Sequence, residues 1–214
     1  MAKVNTSIRP ARSGLVIRAG PRAADADRLR PVPRLAVSLA ILFVLPAIFS
    51  GAQQVHPTEP QVKAAYLYNF GKFVRWQDDR AAASNSLELC VLGKDPFGPV
   101  LDSTVAGESI DDRKITVKRI SRVQDSADCS ILFISSSEED HLGTILAAAQ
   151  RFGLLTVSDV PHFAERGGVI GFVMQQDRIR FEVNRGAAEE SHLLLSSELL
   201  KVASKVIEKT KPQS

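Results

Sequence analysis

Cysteine is scarce in this sequence: of 214 residues only Cys90 and Cys129 carry a thiol. Two are too few for a disulfide-dense mini-scaffold or for a self-contained four-ligand zinc site. Apolar runs are short as well. The longest predominantly apolar stretch, residues 35–49, spans fifteen positions, which excludes a polytopic membrane protein. Net charge is small, +3 from 27 Lys+Arg against 24 Asp+Glu. Even that surplus is local, because residues 1–52 hold eight bases and two acids. The remaining 19 bases and 22 acids leave residues 53–214 at −3. The basic character therefore belongs to the leader, and nucleic-acid binding by the folded part has no support.

Motifs of the common catalytic classes are missing too. No G-x-x-x-x-G-K loop and no G-x-G-x-x-G follows the first strand, and no G-x-S-x-G elbow occurs. Gly93-Lys94-Asp95-Pro96-Phe97-Gly98 comes nearest to an anion loop, but its glycine spacing is wrong and Pro96 removes an amide donor. The four histidines (His56, His141, His162, His192) form no H-x-x-x-H or H-E-x-x-H pair. Ser158 and His162 lie near each other without making a triad. Glu138-Glu139-Asp140 reads more simply as the acidic first turn of a helix than as a cation site. No residue is nominated as catalytic, no metal ligand set is nominated, and no cofactor is expected.

What is present at the N-terminus reads as an export signal. Arg28, Arg30 and Arg34 precede LAVSLAILFVLPAIF (35–49), and Ser50-Gly51-Ala52 follows with small residues. That is a basic n-region, an apolar h-region and a cleavage site after Ala52. The competing reading is a retained anchor. Fifteen residues at about 1.5 Å each fall short of the roughly 30 Å hydrocarbon core. Residues 1–30 are long for an n-region, so the true start codon stays open. Export gives the cysteines a meaning: an oxidising compartment would let Cys90 and Cys129 pair, stabilising by about 3–4 kcal/mol. Two buried free thiols are the alternative.

The mature chain alternates helices and strands. Thr58 with Gln61 forms a capping-box start, and Val62, Ala65, Tyr66, Asn69, Phe70, Phe73 and Val74 recur at helical spacing to about Trp76. Strands are expected at 87–92, 114–120, 129–134 and 154–157. A short helix should open at Asp95-Pro96, and another should run from the Ser135 cap to Phe152 before Gly153. Residues 169–174 and 179–184 suggest an antiparallel hairpin, and residues 187–209 a long closing helix. The whole is an α/β domain over 57–209: one compact unit with a mixed, mostly parallel sheet flanked by helices, a C-terminal β-hairpin and a long final helix. Residues 210–214 form a polar tail.

Several segments taken in order resemble one family: VKAAYLYNFGKFVRW (62–76), LCVLGKDPFG (89–98), CSILFIS (129–135), LLTVSD (154–159), GGVIGFV (167–173), IRFEVN (179–184) and LLLSSELLKVA (193–203). Together they look like the YfiR family of small periplasmic bacterial proteins. The resemblance implies an exported α/β regulator without enzymatic activity. Its best-known member binds the periplasmic sensor part of an inner-membrane diguanylate cyclase and represses it, lowering cyclic di-GMP and biofilm formation. The resemblance also implies that Cys90 and Cys129 are the family's recurrent pair. The second pair of the known repressor is absent here.

Two functional readings follow. One is a periplasmic repressor of a membrane diguanylate cyclase. The other is a small-molecule-binding sensor or accessory module for a histidine kinase or transporter. Candidate partner-binding residues are Arg75 and Trp76, an aromatic–basic pair of the kind enriched at interface hot spots, and His162 and Phe163 in a loop. The alternatives are that Trp76 packs on the sheet beside a solvated Arg75, and that Phe163 anchors its loop. Whether the chain forms a homodimer is not legible from these residues.

Overall fold

A computed structural model describes residues 56–77 and 86–208. The leader, its cleavage point after Ala52 and the polar tail lie outside the described residues. The chain first forms α1 (Glu59–Phe73). Gln61 Oε1 accepts from the Thr58 backbone N–H at 2.7 Å, as the capping box requires. The buried stripe is Lys63, Ala64, Leu67, Phe70 and Gly71, turned by about one residue from the stripe expected. Ala65, Asn69 and Phe73 face outward. At Gly71 the helix approaches the sheet so closely that a Cβ would meet Ile110 Cδ1 at 2.7 Å.

The helix does not reach Trp76. Val74–Trp76 is a strand, β1, because Val74 turns extended (φ −118°, ψ 133°) and a β-branched, basic, aromatic triplet suits a strand as well as a helix. Next come β2 (Ser86–Leu92), α2 (Pro99–Val105), β3 (Ser109–Ile110) and β4 (Arg113–Ile120). Helix α2 starts later than Asp95-Pro96, since Asp95 Oδ1 accepts from the Phe97 N–H at 2.7 Å and holds a turn first. A 3₁₀ turn (Val123–Ser126) leads to β5 (Ile131–Ile134), which begins two residues after the expected Cys129. A second 3₁₀ turn (Ser136–His141) leads into α3 (Leu142–Arg151). Beyond Gly153 lies β6 (Leu155–Ser158), then β7 (Ile170–Gln175) and β8 (Arg178–Asn184). The hairpin between the last two is as expected: Gln176 and Asp177 both take positive φ (50° and 56°), the signature of a two-residue loop that matches strand twist.

The long final helix is not formed. In its place stand α4 (Arg185–Glu190), β9 (Leu193–Leu195), α5 (Ser197–Val202) and β10 (Lys205–Ile207). Asn184 caps α4 through the Ala187 N–H (2.9 Å), His192 breaks the run with φ 55°, and Ser196 caps α5 through the Leu199 N–H (3.2 Å). Each is a local stop or start that outweighs the helical period.

Eight strands make one sheet in the order β10-β8-β7-β6-β5-β2-β4-β3, with β7 to β4 running parallel. Strands β5 and β6 are buried along their whole length, as central parallel strands covered on both faces should be. The two faces carry separate cores. One gathers Leu87, Leu89, Val91, Phe133 and Val157 beneath Leu67 and Phe70 of α1 and Leu101 of α2. The other gathers Cys90, Leu92, Leu132 and Ile134 beneath Leu142 and Ile145 of α3, with Phe163. A separate two-stranded ribbon pairs β1 with β9 antiparallel. Within the described residues no helix is long and apolar enough to cross a membrane.

Candidate functional site

The cysteine pair is joined. Cys90 sits in the middle of β2 and Cys129 just ahead of β5, with Cα atoms 5.9 Å apart and a disulfide between them. Neighbouring parallel strands bring them together, since Cys90 lies beside Leu132 in the ladder. Two residues before Cys90, Glu88 leaves the same face of β2. Its Oε2 is buried without a hydrogen-bond partner among the described residues.

The Arg75–Trp76 pair divides its duties. Trp76 is half-buried, its indole N–H donates to the Ser130 carbonyl at 3.2 Å, and the Arg113 guanidinium lies 5.7 Å from its ring. Arg75 is exposed and stands directly opposite Leu194 across the β1–β9 ribbon. Leu194 is itself 52% exposed, and Phe73, at the end of α1, is exposed as well. Arg75 and Leu194 thus share an outward face, while Trp76 fastens the ribbon to the sheet.

His162 and Phe163 point to opposite sides. His162 takes φ 57° and is exposed, with Nδ1 3.1 Å from Glu165 Oε2. Phe163 is 1% exposed in the second core. It is the anchor of its loop, which removes it from the exposed surface on which a partner could dock.

A further cluster was not nominated from the sequence. Lys63 is buried on α1, and its ammonium lies 2.5 Å from Glu59 Oε1 and 2.7 Å from Asp159 Oδ2. Burial opposes its charge, but the hydrogen bonds and charges of the two carboxylates outweigh that and raise its pKa above the ordinary lysine value. Phe172, Met174 and Ile179 complete the wall of a cavity of about 140 Å³ beside it. The signal was a lysine inside an apolar stripe, four residues before Leu67 and seven before Phe70. Glu88 and Leu194 gave no comparable signal.

A family model described as YfiR/HmsC-like matches residues 60–204. The chain belongs to that family. The YfiR/HmsC-like proteins are periplasmic, regulatory, non-catalytic domains. Every candidate residue named above except Glu59 falls inside the matched span. No curated protein matches. Among solved structures, the chain is similar to a conserved domain protein from Vibrio cholerae (11% identity, 57% of this chain, 55% of that chain, TM-score 0.44). It is similar also to an ABC domain in complex with L-Trp from Streptococcus pneumonia (11% identity, 67% of this chain, 60% of that chain, TM-score 0.46). The chain thus spans a little over half the length of these structures.

Proposed function

We propose that this YfiR/HmsC-like protein binds the periplasmic sensor domain of an inner-membrane diguanylate cyclase and holds that enzyme inactive, so lowering cyclic di-GMP and biofilm formation. The family match over residues 60–204 carries this reading. The ribbon face supports it locally: an exposed Arg75 beside an exposed Leu194 offers a cation and an apolar contact on one rigid pair of strands. Export by a leader cleaved after Ala52 belongs to the same reading, and N-terminal sequencing of the protein recovered from the periplasm checks it. Affinity capture from detergent-solubilised inner membranes tests the partner. A recovered diguanylate cyclase whose activity falls on adding the protein supports repression. Recovery of the cyclase with unchanged activity, or of other membrane proteins only, overturns it.

A second reading has its own observation. The cavity beside Lys63 combines a buried ammonium, two carboxylates and an apolar wall, which suits a small-molecule sensor serving a histidine kinase or transporter. A gene for such a receptor next to this one would favour it over repression.

A further inference from the structure

Glu88, which carries the buried unpartnered oxygen, sits in unusual company. Glu88, Cys90 and Cys129 each offer one ligand atom, and these atoms all lie within 4.8 Å of one another. A carboxylate oxygen held out of water without a hydrogen bond is costly, and such groups in native folds call for an explanation. Cys90 is fully buried and Cys129 is 6% exposed. On the same face of the adjoining strand, Thr116 lies opposite Glu88 and Lys118 opposite Cys90, and both are exposed. The cluster therefore borders solvent at the rim of the second core.

We infer that Glu88, Cys90 and Cys129 form a latent site for a thiophilic divalent cation of the zinc class, closed by the disulfide and opened by its reduction. In the oxidised protein the two sulfurs are bonded to each other and Glu88 Oε2 stays unpaired. A dithiol reductant delivers two electrons and two protons to the Sγ–Sγ bond, leaving two thiols here and becoming a disulfide itself. The cation then binds both sulfurs as thiolates, releasing the two thiol protons to solvent. The Glu88 carboxylate supplies a third ligand, and water a fourth. Two thiolates select a zinc-like ion over magnesium or calcium, which prefer all-oxygen shells. The metal would hold β2 to the start of β5 where the disulfide held them before. This site is independent of the proposed repressor role.

The test uses the protein expressed from its full sequence with its own leader. Oxidised and dithiothreitol-reduced samples, the latter freed of reductant without air, are titrated with Zn²⁺ alone. The reduced protein is expected to take up one Zn²⁺ per chain and the oxidised protein none. X-ray absorption of the zinc form should show two sulfur ligands at about 2.3 Å and two oxygen ligands at about 2.0–2.2 Å. Glu88→Gln should still form the disulfide but bind Zn²⁺ about tenfold or more weakly when reduced. Absence of one-to-one uptake by the reduced protein, a four-sulfur shell, or equal affinity in Glu88→Gln overturns the proposal. Should that variant fail to fold, the wild-type stoichiometry and ligand shell decide alone.

Discussion

Lys63 on α1 and Asp159 at the end of β6, 96 positions apart, meet at 2.7 Å. The Lys63 side chain is 9% exposed and that of Asp159 24%, so the pair ties the first helix to the carboxyl end of the parallel sheet largely out of water. Lys63→Met would leave Asp159 facing an apolar wall without its cation. The expected loss is about 2–3 kcal/mol, below the roughly 3–5 kcal/mol of a fully buried pair because Asp159 keeps some water. The sign of the pH dependence follows from the raised pKa of Lys63. Its contribution is complete below the ordinary lysine value of 10.5 and fades only as pH rises through the higher folded value. Urea denaturation of both proteins should therefore give a constant difference from about pH 6 to 9; a difference that shrinks across that range would contradict this account.

The disulfide closes a loop of 39 positions. Replacing both cysteines by alanine should cost about 3–4 kcal/mol, chiefly by freeing the unfolded chain. The rest of the second core stays in place, so the variant should still fold. Guanidinium denaturation reads the loss directly, and a cost under about 1 kcal/mol would show that the bridge constrains little.

The central sheet was legible in the sequence and the two ends of the domain were not. Ile131–Ile134 and Leu155–Ser158 are continuous apolar runs that only a doubly covered strand accommodates, and both are found there. Val74–Trp76 continues the helical period of α1 yet pairs with Leu193–Leu195, a contact 119 positions away that no local pattern announces. The closing segment failed for a related reason. Leucines at helical spacing hid the caps at Asn184 and Ser196 and the turn at His192. Among candidate residues, the cysteine pair was readable from compartment and family likeness. Glu88 was not, because its isolation arises from three-dimensional packing around Oε2.

Arg119 fastens the end of β4 to α2. Its guanidinium reaches Asp95 at 3.0 Å, Asp102 at 2.5 Å and the Gly98 carbonyl at 2.9 Å. The hydrogen bond from Arg119 is the main cause that holds the Asp102 carboxyl below its ordinary value; burial opposes it, and the guanidinium charge adds to it. A lowered carboxyl contributes above its ordinary value of 3.8 and loses that contribution as pH falls toward the folded value. Asp102 is half exposed, so Arg119→Gln should cost only about 0.5–1 kcal/mol at neutral pH. That difference should shrink as pH falls below 3.8 through the lowered folded value of Asp102, which thermal melts across the acid range would show.

Arg75 separates binding from stability. It is exposed on β1 and stands beside Leu194, so Arg75→Glu should leave stability within about 0.5 kcal/mol of wild type. Affinity for a confirmed partner should fall. Trp76→Ala is the contrasting variant, because it removes a half-buried ring and the bond to the Ser130 carbonyl and should destabilise by about 2–3 kcal/mol. Thermal melts beside a binding titration distinguish the two, and unchanged affinity in Arg75→Glu would take this residue out of the interface.

Phe163 and Gly168 fit each other closely enough to be tested as a pair. A Cβ on Gly168 would lie 2.0 Å from the Phe163 ring, and the Gly168 N–H donates to the Phe163 carbonyl at 3.0 Å. The ring is rigid and buried, so it has nowhere to go. Gly168→Ala should therefore cost about 2–3 kcal/mol through overpacking, and Phe163→Leu about 1–2 kcal/mol through lost volume. Leucine leaves open much of the space the added methyl needs. The double variant should thus be more stable than the sum of the two losses by about 1–2 kcal/mol. Denaturation of the four proteins in one double-mutant cycle measures this coupling. Simple additivity would mean that the loop shifts as a body, in which case Phe163 is not what requires glycine at position 168.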